Sequence, residues 1–320
     1  MNIGILGSGF IVEVFVKNSK KYKDLNLYGI WGRHEEKIKR FNGFKLYTTN
    51  VDELLNDPNI DVVYVALPNS LHFEYAYKAL KANKHVMLEK PFCTSYKQAQ
   101  TLINYAKKHN LLLYETAMTP HGKNYLKMKT FIDKLGEIKM IDINFSQYSR
   151  KYDKFKNGII LPAFDKKLAG GALFDLNVYN IHFVVGMFGL PKKVNYFPNI
   201  YRNIDTSGIL VLDYGKFKAN LVAGKDCSAP AYAMVQGDKG YLRCTTTTSR
   251  CEDFEVVMND GKVKKFKGKD DEFAGWKTMY EEFIRLYKNK DYQTCYKYLD
   301  QTLMVQKVLE GAMNSANIKY

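Results

Sequence analysis

Short apolar runs alternate with helix-like stretches up to about residue 118, and no other feature of the chain limits its possible folds as strongly. The apolar runs are Asn2–Leu6, Leu25–Trp31, Asp61–Leu67, Val86–Leu88 and Leu111–Tyr114. This alternation predicts a doubly wound parallel sheet. After Pro120, strand-like segments follow one another through hairpin-type turns, which predicts a mainly antiparallel sheet. We therefore expect one domain in residues 1–119 and a second in residues 120–320.

The first apolar run leads into a glycine turn, Gly7-Ser8-Gly9-Phe10-Ile11-Val12, and then a helical stretch from Glu13 to Asn18. The first glycine permits a tight turn, and the second lets a pyrophosphate approach the backbone at a helix N-terminus. The order of strand, glycine turn and helix predicts a dinucleotide site. At the third position of this fingerprint, Val12 replaces the usual Gly or Ala, which affects helix–strand packing rather than the phosphate contact.

The residues after the second apolar run bear on which dinucleotide is bound. NAD(H) enzymes of this layout carry an acidic residue there for the ribose 2′-hydroxyl, but this chain has none before Glu35. Arg33 can instead pair with a 2′-phosphate, since its guanidinium presents a planar fork of donors. The alternative is a loop arginine in solvent. We favour NADP(H) over NAD(H).

Polar residues follow the apolar run Asp61–Leu67. Pro68, Asn69 and His72 come directly after it, and a helical stretch begins at Phe73. Asn69 is expected to cap that helix. Because ligands of open α/β sheets bind outside the carboxyl ends of the strands, we expect Asn69 and His72 to lie beside a nicotinamide ring.

The run Val86–Leu88 is followed at once by Glu89, Lys90 and Pro91. Proline has no N–H and holds the preceding residue extended, so the strand ends here. Lys90 is then presented at the carboxyl end of a strand. The other interpretation is a solvated Glu-Lys pair with no function.

One helix in the second half carries an unusual polar stripe. Asp175, Tyr179 and His182 are spaced by four and three residues, so one helix face holds all three. The rest of this helix is apolar, and burying polar groups without partners is costly. Gly170 and Gly171 precede it and allow a close approach by a ligand or another backbone. The stripe therefore indicates either an active site or three groups that satisfy one another in a domain interface.

The composition narrows the possible partners. The formal net charge is +15, but the lysines are spread over the whole chain and no nucleic-acid recognition motif occurs. We interpret the charge as a background bias that also suits an anionic substrate or an NADP phosphate. No apolar run approaches a membrane span and no basic region precedes the first run, so we expect a cytoplasmic protein without membrane contact. The five cysteines form no CxxC pair, so neither a disulfide framework nor a metal site is expected.

Four motifs occur together and in a fixed order: Gly7-x-Gly9, Pro68-Asn69-x-x-His72, Glu89-Lys90-Pro91 and Gly170-Gly171-Ala172-x-x-Asp175-x-x-x-Tyr179. The set strongly resembles the Gfo/Idh/MocA family (glucose-fructose oxidoreductase, inositol dehydrogenase and rhizopine catabolism proteins). Tyrosine rather than histidine at position 179 is more similar to the xylose and dihydrodiol dehydrogenase branch than to the inositol branch. The resemblance implies a Rossmann domain followed by an α+β domain with an open-faced sheet. It also implies NAD(P)-dependent hydride transfer on sugars, polyols or related alcohols, and a homodimer or higher homo-oligomer formed through the sheet face.

The resemblance also implies roles for individual residues. Tyr179 would donate the proton in the reducing direction, with Lys90 lowering the phenol's pKa from its reference value of about 10. Asp175 would orient the substrate or the Lys–Tyr pair. His182 would contact substrate hydroxyls, with acid–base work as a second choice, and Arg150 is either a substrate contact or a surface charge. Cofactor contacts would come from Gly7, Gly9, Phe10, Ile11, Arg33, Pro68, Asn69, His72, Glu89 and Lys90.

Three further points concern the substrate and the alternatives to a sugar dehydrogenase. The segment from Glu115 to His121 lacks the arginine that many family members carry after this glutamate, so substrate contacts from that loop are in doubt. Some members of the family bind the cofactor and regulate without turnover. A reductase of a non-sugar substrate, such as a linear tetrapyrrole or a trans-dihydrodiol, is another alternative.

Overall fold

The computed structural model describes residues 1–268 and 274–319, which form two compact units. Unit 1 comprises Met1–Thr116 and Tyr280–Asp300, and unit 2 comprises Ala117–Met279 and Gln301–Tyr320. The predicted boundary at residues 119 and 120 lies close to the first crossing between the units. The prediction placed all of residues 120–320 in the second domain, however, whereas the chain returns to unit 1 at Tyr280.

Unit 1 is built on a sheet of six parallel strands, as the alternating pattern predicts. The strands are β1 (Asn2–Leu6), β2 (Asn26–Trp31), β3 (Leu46–Thr48), β4 (Val62–Val65), β5 (His85–Leu88) and β6 (Leu113–Glu115). Their order is β3-β2-β1-β4-β5-β6, the doubly wound arrangement. Every residue of β4 is buried, as expected for a central strand covered on both faces.

Helices connect these strands. They are α1 (Phe10–Ser19), α2 (Glu35–Lys39), α3 (Val51–Asn56), α4 (His72–Lys81) and α5 (Tyr96–Lys108). The first helix begins three residues before the predicted start at Glu13, directly after the glycine turn. The backbone N–H groups at its N-terminus, where the sequence predicts a dinucleotide, therefore begin directly after Gly9.

The return of the chain to unit 1 covers the edge of its sheet. The ring of Tyr114 on β6 packs against Phe283 and Tyr298, with centroid distances of 5.3 and 6.3 Å. Beside them, the Cys295 thiol donates a hydrogen bond to the carbonyl oxygen of Leu113 at 3.2 Å. Because β6 is an edge strand, this packing protects it from pairing with another chain and explains why the segment belongs to unit 1.

Unit 2 contains a sheet of eight strands within the described part of the chain. The strands are β7 (Ile138–Ser146), β8 (Lys193–Tyr201), β9 (Ile204–Asp213), β10 (Lys218–Gly224), β11 (Tyr232–Gly237), β12 (Gly240–Cys244), β13 (Phe254–Met258) and β14 (Val263–Phe266). Their order is β14-β13-β12-β11-β7-β10-β9-β8. Only β7 and β10 pair in parallel among these strands, so the sheet is mainly antiparallel, as predicted.

The remaining helices are α6 (Lys123–Lys129), α7 (Tyr152–Lys156), α8 (Val178–Phe188), α9 (Ala274–Asn289) and α10 (Tyr292–Ser315). The apolar residues of α8 and of the turn before it form much of the core of unit 2. Among the described helices, the stretch Lys166–Phe188 alone is long and apolar enough to cross a membrane, but 78% of it is buried inside the fold. Its place in the core accounts for its apolar character.

Candidate active site

The glycine turn of unit 1 combines a tight passage with an open space. Gly7 has a φ of +128°, and a Cβ there would lie 2.3 Å from the carbonyl oxygen of Ala66, so only glycine fits. Gly9 is the N-cap of α1, and beyond its own turn no described atom lies within 4 Å of its Cβ position. A ligand therefore has room at this helix N-terminus, where the backbone N–H groups favour an anion.

The first residues of α1 divide between surface and interior. Phe10 exposes 72% of its surface, and Ile11 is partly buried. Val12, the departure from the usual fingerprint, is fully buried. The Val12 side chain, which is larger than the usual Gly or Ala, thus packs in the interior of unit 1. Phe10 presents an apolar surface beside the glycine turn.

The end of β2 lies beside the same turn. A Cβ on Gly32 would lie 3.8 Å from the Ser8 hydroxyl oxygen, and Arg33 follows as an exposed residue. Arg40, which the sequence did not single out, donates from Nη2 to the carbonyl oxygen of Ser8 at 2.6 Å and pairs with Glu13 at 2.7 Å. Two arginines therefore lie near the loop where a ribose phosphate was predicted. The only sequence signal for Arg40 is its place directly after the first helix that follows β2.

The loop after β4 differs from the prediction in one respect. Asn69 opens a short 3-10 turn, Asn69–Leu71, and α4 begins at His72 with Leu71 as its N-cap. The prediction that Asn69 caps this helix is wrong, because the 3-10 turn separates Asn69 from the first residue of α4. The helix itself begins one residue before the predicted start at Phe73. Pro68 precedes the turn with a φ of −57°, which its ring imposes.

His72 is fully buried, and both of its ring nitrogens face backbone carbonyl oxygens. Nδ1 lies 2.8 Å from Pro91 O, and Nε2 lies 2.8 Å from Leu67 O. Burial lowers the pKa of this imidazole, and the Lys90 ammonium acts in the same direction, whereas the two carbonyl contacts oppose the shift. The side chain thus connects the loop after β4 to the loop after β5. A direct cofactor contact through the ring nitrogens stays a prediction.

Glu89 lies inside unit 1, beneath the lysine that follows it. Its Oε1 accepts hydrogen bonds from the hydroxyls of Tyr64 at 2.6 Å and Thr116 at 2.7 Å. Burial raises the pKa of this carboxyl, while the two hydroxyls and the Lys90 ammonium oppose the shift. Lys90 itself is only partly buried. The pair is therefore not a solvated charge pair, because its carboxylate is fixed in the interior.

In unit 2 the glycine pair before the polar stripe makes room for neighbouring protein groups. A Cβ on Gly170 would lie 2.8 Å from Ala163 C, and one on Gly171 would lie 1.9 Å from an oxygen of Asp205. The other carboxylate oxygen of Asp205 accepts from the Leu173 backbone N–H at 2.7 Å and from a tyrosine hydroxyl at 2.8 Å. Asp205 thus fixes the start of the helix. Sequence reasoning missed it because it lies on β9, far along the chain.

The three residues of the predicted stripe differ in exposure. The stretch from Leu173 to Asn177 is a π-helix, and α8 starts only at Val178, so the stripe spans two helix types. Between residues 171 and 185 only Asp175 and Tyr179 are partly exposed, and every other residue is buried. His182 is 1% exposed. The structure therefore presents Asp175 and Tyr179 together, and the substrate contact predicted for His182 has no comparable support.

A buried lysine that the sequence did not indicate pairs with Asp175. The Nζ of Lys225 lies 2.7 Å from Asp175 Oδ2, and the Lys225 side chain is 2% exposed against 39% for Asp175. The same Nζ donates to Ala163 O at 2.8 Å. No signal in the sequence suggests this pairing, since the two residues are 50 positions apart.

Arg150 follows β7 as an exposed residue. The backbone just before it is held to the end of β10, with Gln147 N–H donating to Gly224 O at 2.8 Å and Ser149 N–H to Lys225 O at 2.9 Å. The residue before Arg150 is therefore hydrogen-bonded to the backbone of Lys225. Its predicted substrate contact stays a prediction.

A cavity of about 370 Å³ opens within unit 2. Its lining includes Phe145, whose ring packs against that of Tyr179 at 6.0 Å, and also Gln147, Arg250 and Trp276. Arg250 pairs with a neighbouring glutamate. The cavity thus lies one aromatic ring away from Tyr179 and combines apolar and hydrogen-bonding groups, as small-molecule sites do.

Two family models match the chain. The oxidoreductase family with an NAD-binding Rossmann fold, GFO_IDH_MocA, matches residues 1–116, and the GFO/IDH/MocA C-terminal domain matches residues 125–243.

Individual relatives match along most of the chain. The scyllo-inositol 2-dehydrogenase (NADP(+)) IolU of Bacillus subtilis is 29% identical, with 100% of this chain and 98% of IolU covered. The trans-1,2-dihydrobenzene-1,2-diol dehydrogenase of Xenopus tropicalis is also 29% identical, with 82% and 80% covered. Since the two values are equal, identity does not separate the inositol branch from the dihydrodiol branch.

A solved structure supports the same fold. The crystal structure of KijD10, a 3-ketoreductase from Actinomadura kijaniata, in complex with NADP and TDP-benzene, has a TM-score of 0.85 at 20% identity, with 98% of this chain and 97% of KijD10 covered. The chain belongs to the Gfo/Idh/MocA family of oxidoreductases.

Proposed function

We propose that this chain transfers a hydride between NADP(H) and a hydroxyl-bearing carbon of a sugar, polyol or related diol. The observation that carries the proposal is the pair Asp175 and Tyr179, the two partly exposed residues in the otherwise buried stretch from residue 171 to residue 185. A proton donor and a hydrogen-bond acceptor lie one turn apart there, which suits a substrate that must exchange a proton and be oriented through a second polar group.

Unit 1 supplies features that fit the cofactor. The open space at Gly9 and the N-terminus of α1 would receive the dinucleotide phosphates, beside the exposed ring of Phe10. When bound, the nicotinamide donates or accepts the hydride. Every other step falls to side chains of this chain.

Tyr179 is the proton donor in the reducing direction of this proposal. As a hydride adds to the carbonyl carbon, the carbonyl oxygen takes the phenol proton, and the alcohol forms. The oxidation reverses both transfers. Lys90 assists by favouring the phenolate and by stabilising negative charge on the substrate oxygen.

The relatives suggest a narrower substrate class. Scyllo-inositol and trans-1,2-dihydrobenzene-1,2-diol are both six-membered rings with hydroxyls on adjacent carbons. We infer that this chain acts on a cyclic vicinal diol or its ketone, with Asp175 accepting a hydrogen bond from the hydroxyl next to the reacting carbon.

The preference for NADP(H) rests on Arg33, which is exposed directly after β2, and on the NADP(+) dependence in the name of IolU. An Arg33→Ala variant should raise the KM for NADP(+) about tenfold or more, because it removes a charge-assisted contact to the 2′-phosphate. The KM for NAD(+) should stay unchanged and acts as an internal control. A wild-type enzyme with a clear preference for NAD(H) would contradict this assignment.

The central experiment is a turnover screen with NADP(+) and NAD(+) on inositols, aldoses and trans-dihydrodiols. Tyr179→Phe should lower kcat by roughly 10² to 10⁴-fold while cofactor binding, measured by titration calorimetry, is retained. Tyr241→Phe, at a partly exposed tyrosine on β12, is the matched control and should be neutral. Cofactor binding without turnover on any of these substrates would favour a regulatory protein instead.

We also propose that two copies pair through the outer face of the sheet in unit 2. Phe197 on β8 and Ile209 on β9 are direct cross-strand neighbours and are 62% and 44% exposed. Met140 on β7 is 52% exposed. Phe197→Asp should convert a dimer to a monomer in light-scattering measurements, because it places a charge in an apolar contact. A wild-type monomer would refute the pairing.

A further inference from the structure

The side chain of Lys225 is almost completely buried, although lysine is among the residues least often found inside a protein. It follows the last residue of β10, Gly224. An ammonium removed from water needs compensating partners, since an isolated buried charge is strongly unfavourable. What surrounds this ammonium therefore indicates what the lysine does.

Three groups surround the Lys225 ammonium. Asp175 Oδ2 lies at 2.7 Å, the carbonyl oxygen of Ala163 at 2.8 Å, and the centroid of the Phe164 ring at 4.5 Å. The latter two residues belong to the short turn Pro162–Phe164, which precedes the glycine pair. The ammonium thus joins one carboxylate to a loop that lies elsewhere in the chain.

The carboxylate adjacent in sequence does not take this role. Asp226 instead accepts hydrogen bonds from the hydroxyls of Thr206 at 2.6 Å and Ser207 at 3.1 Å. The backbone of Lys225 is also fixed, because its N–H donates to Thr206 O at 2.8 Å. Lys225 is therefore held at its backbone and directed to Asp175 at its charged end.

We propose that Lys225 is a positioning residue for substrate binding: it fixes the Asp175 carboxylate, in its charged form, so that the exposed part of that carboxylate can accept a hydrogen bond from the substrate. Asp175 is held at one oxygen and is still 39% exposed, so it is both anchored and accessible. Through Ala163 and Phe164, the same ammonium sets the position of the neighbouring loop. The inference rests on the proposed function, which assigns Asp175 to the substrate.

A kinetic double-mutant cycle tests the inference. Lys225→Met keeps an unbranched side chain as far as Cε and removes the charged amino group, and Asp175→Asn removes the negative charge of the carboxylate. Each should lower kcat/KM about tenfold to a hundredfold, the range for losing a charged hydrogen bond. If Lys225 acts through Asp175, the loss in kcat/KM should divide between kcat and KM in the same way in Lys225→Met as in Asp175→Asn. The kcat/KM of the double variant should then be no lower than that of Asp175→Asn alone.

Lys84→Met is the matched control. Lys84 is also a buried lysine, and its Nζ donates to Asp57 O and Ile60 O at 2.7 Å each, but it contacts no residue assigned to catalysis or binding. Its loss should lower stability and leave kcat and KM unchanged. The inference would be overturned by an equal kinetic loss in Lys84→Met, by near-wild-type kinetics in Lys225→Met, or by losses that multiply in the double variant.

Urea unfolding of the same variants gives a readout that does not depend on turnover. Asp175→Asn should show the lowest midpoint, because it leaves a buried ammonium without its counter-charge. The double variant should have a higher urea midpoint than Asp175→Asn, because it no longer contains the unpaired ammonium. A double variant less stable than Asp175→Asn would overturn the ion pair. If the wild type shows no turnover but the midpoints follow the predicted order, the proposed function would be refuted. The ion pair between Lys225 and Asp175 would still be supported.

Discussion

Each unit contains one lysine–carboxylate pair of functional interest, and the two pairs are arranged in opposite ways. In unit 1 the carboxylate of Glu89 is buried, and the adjacent Lys90 is partly exposed. In unit 2 the lysine is buried, and the carboxylate is partly exposed, as the 2% and 39% exposures of Lys225 and Asp175 show. One unit therefore presents a cation and the other an anion.

The opposite arrangement of the two pairs shows that a fold can bury one charged group and leave the oppositely charged group beside it accessible to solvent. The buried member of each pair is held by several hydrogen bonds: Glu89 by two hydroxyls, and Lys225 by a carbonyl oxygen and its counter-charge. In unit 2 the presented carboxylate of Asp175 is anchored by the buried ammonium and is still partly exposed. Preorganised charges of this kind stabilise a transition state without reorganising during the reaction.

The largest expected effect comes from removing the presented cation of unit 1. Lys90→Met should lower kcat by roughly 10² to 10⁴-fold, because in the proposed mechanism Lys90 favours the phenolate of the proton donor and stabilises negative charge on the substrate oxygen. Lys84→Met, at the other end of β5, is the control and should keep wild-type kcat. Equal rates for Lys90→Met and the wild type in steady-state assays would remove Lys90 from the mechanism.

The helix that presents the anion depends on the close approach of Asp205. Gly171→Ala should lower the free energy of unfolding by about 2 to 4 kcal/mol, because a Cβ there would overlap the carboxylate and the φ of +109° is strained for alanine. Gly261→Ala has a φ of +87° but open space around its Cβ, so it isolates the backbone contribution. Equal losses in urea unfolding for both variants would show that the Asp205 contact contributes nothing.

The buried carboxylate of unit 1 should have an intermediate effect. Glu89→Gln keeps the shape but removes the charge beside Lys90, so kcat should fall about tenfold. Tyr64→Phe, which removes one of the two hydroxyl donors, should have a smaller effect of the same kind. If Tyr64→Phe reduced kcat more than Glu89→Gln did, the hydroxyl and not the carboxylate would be the supporting group.

The smallest effect concerns pH. Burial lowers the pKa of His72 below its ordinary value of 6.5, so at neutral pH the folded state holds it neutral. Below about pH 6.5 the unfolded state binds more protons than the folded state, and the contribution of His72 to stability is lost as the pH falls. The difference in unfolding free energy between the wild type and His72→Gln should therefore shrink between about pH 7 and pH 5.5. A difference that stays constant or grows would contradict the lowered pKa.

Local patterns in the sequence predicted most of the fold. Alternating strands and helices gave the parallel sheet of unit 1, and hairpin turns gave the antiparallel character of unit 2. The glycine turn and the end of the strand before Glu89 also followed from neighbouring residues, because glycine and proline act on the backbone within a few positions. The four motifs together were specific enough to indicate the family.

Contacts between residues that are distant in the sequence could not be predicted from these local patterns. Nothing near Lys225 predicts that its ammonium reaches Asp175, and nothing near Asp205 predicts that it holds the start of the helix. The return of residues 280–300 to unit 1 likewise depends on aromatic packing over an edge strand. Such contacts are set by which surfaces meet when the whole chain packs, and local sequence does not encode that.

The sequence by itself determined the candidate residues for chemistry, Lys90, Asp175 and Tyr179, because residue type and spacing fix the available functional groups. The tertiary structure alone decided which of them are anchored and which are open. That division depends on burial, and burial removes water from one member of each charged pair while leaving the other member in contact with it.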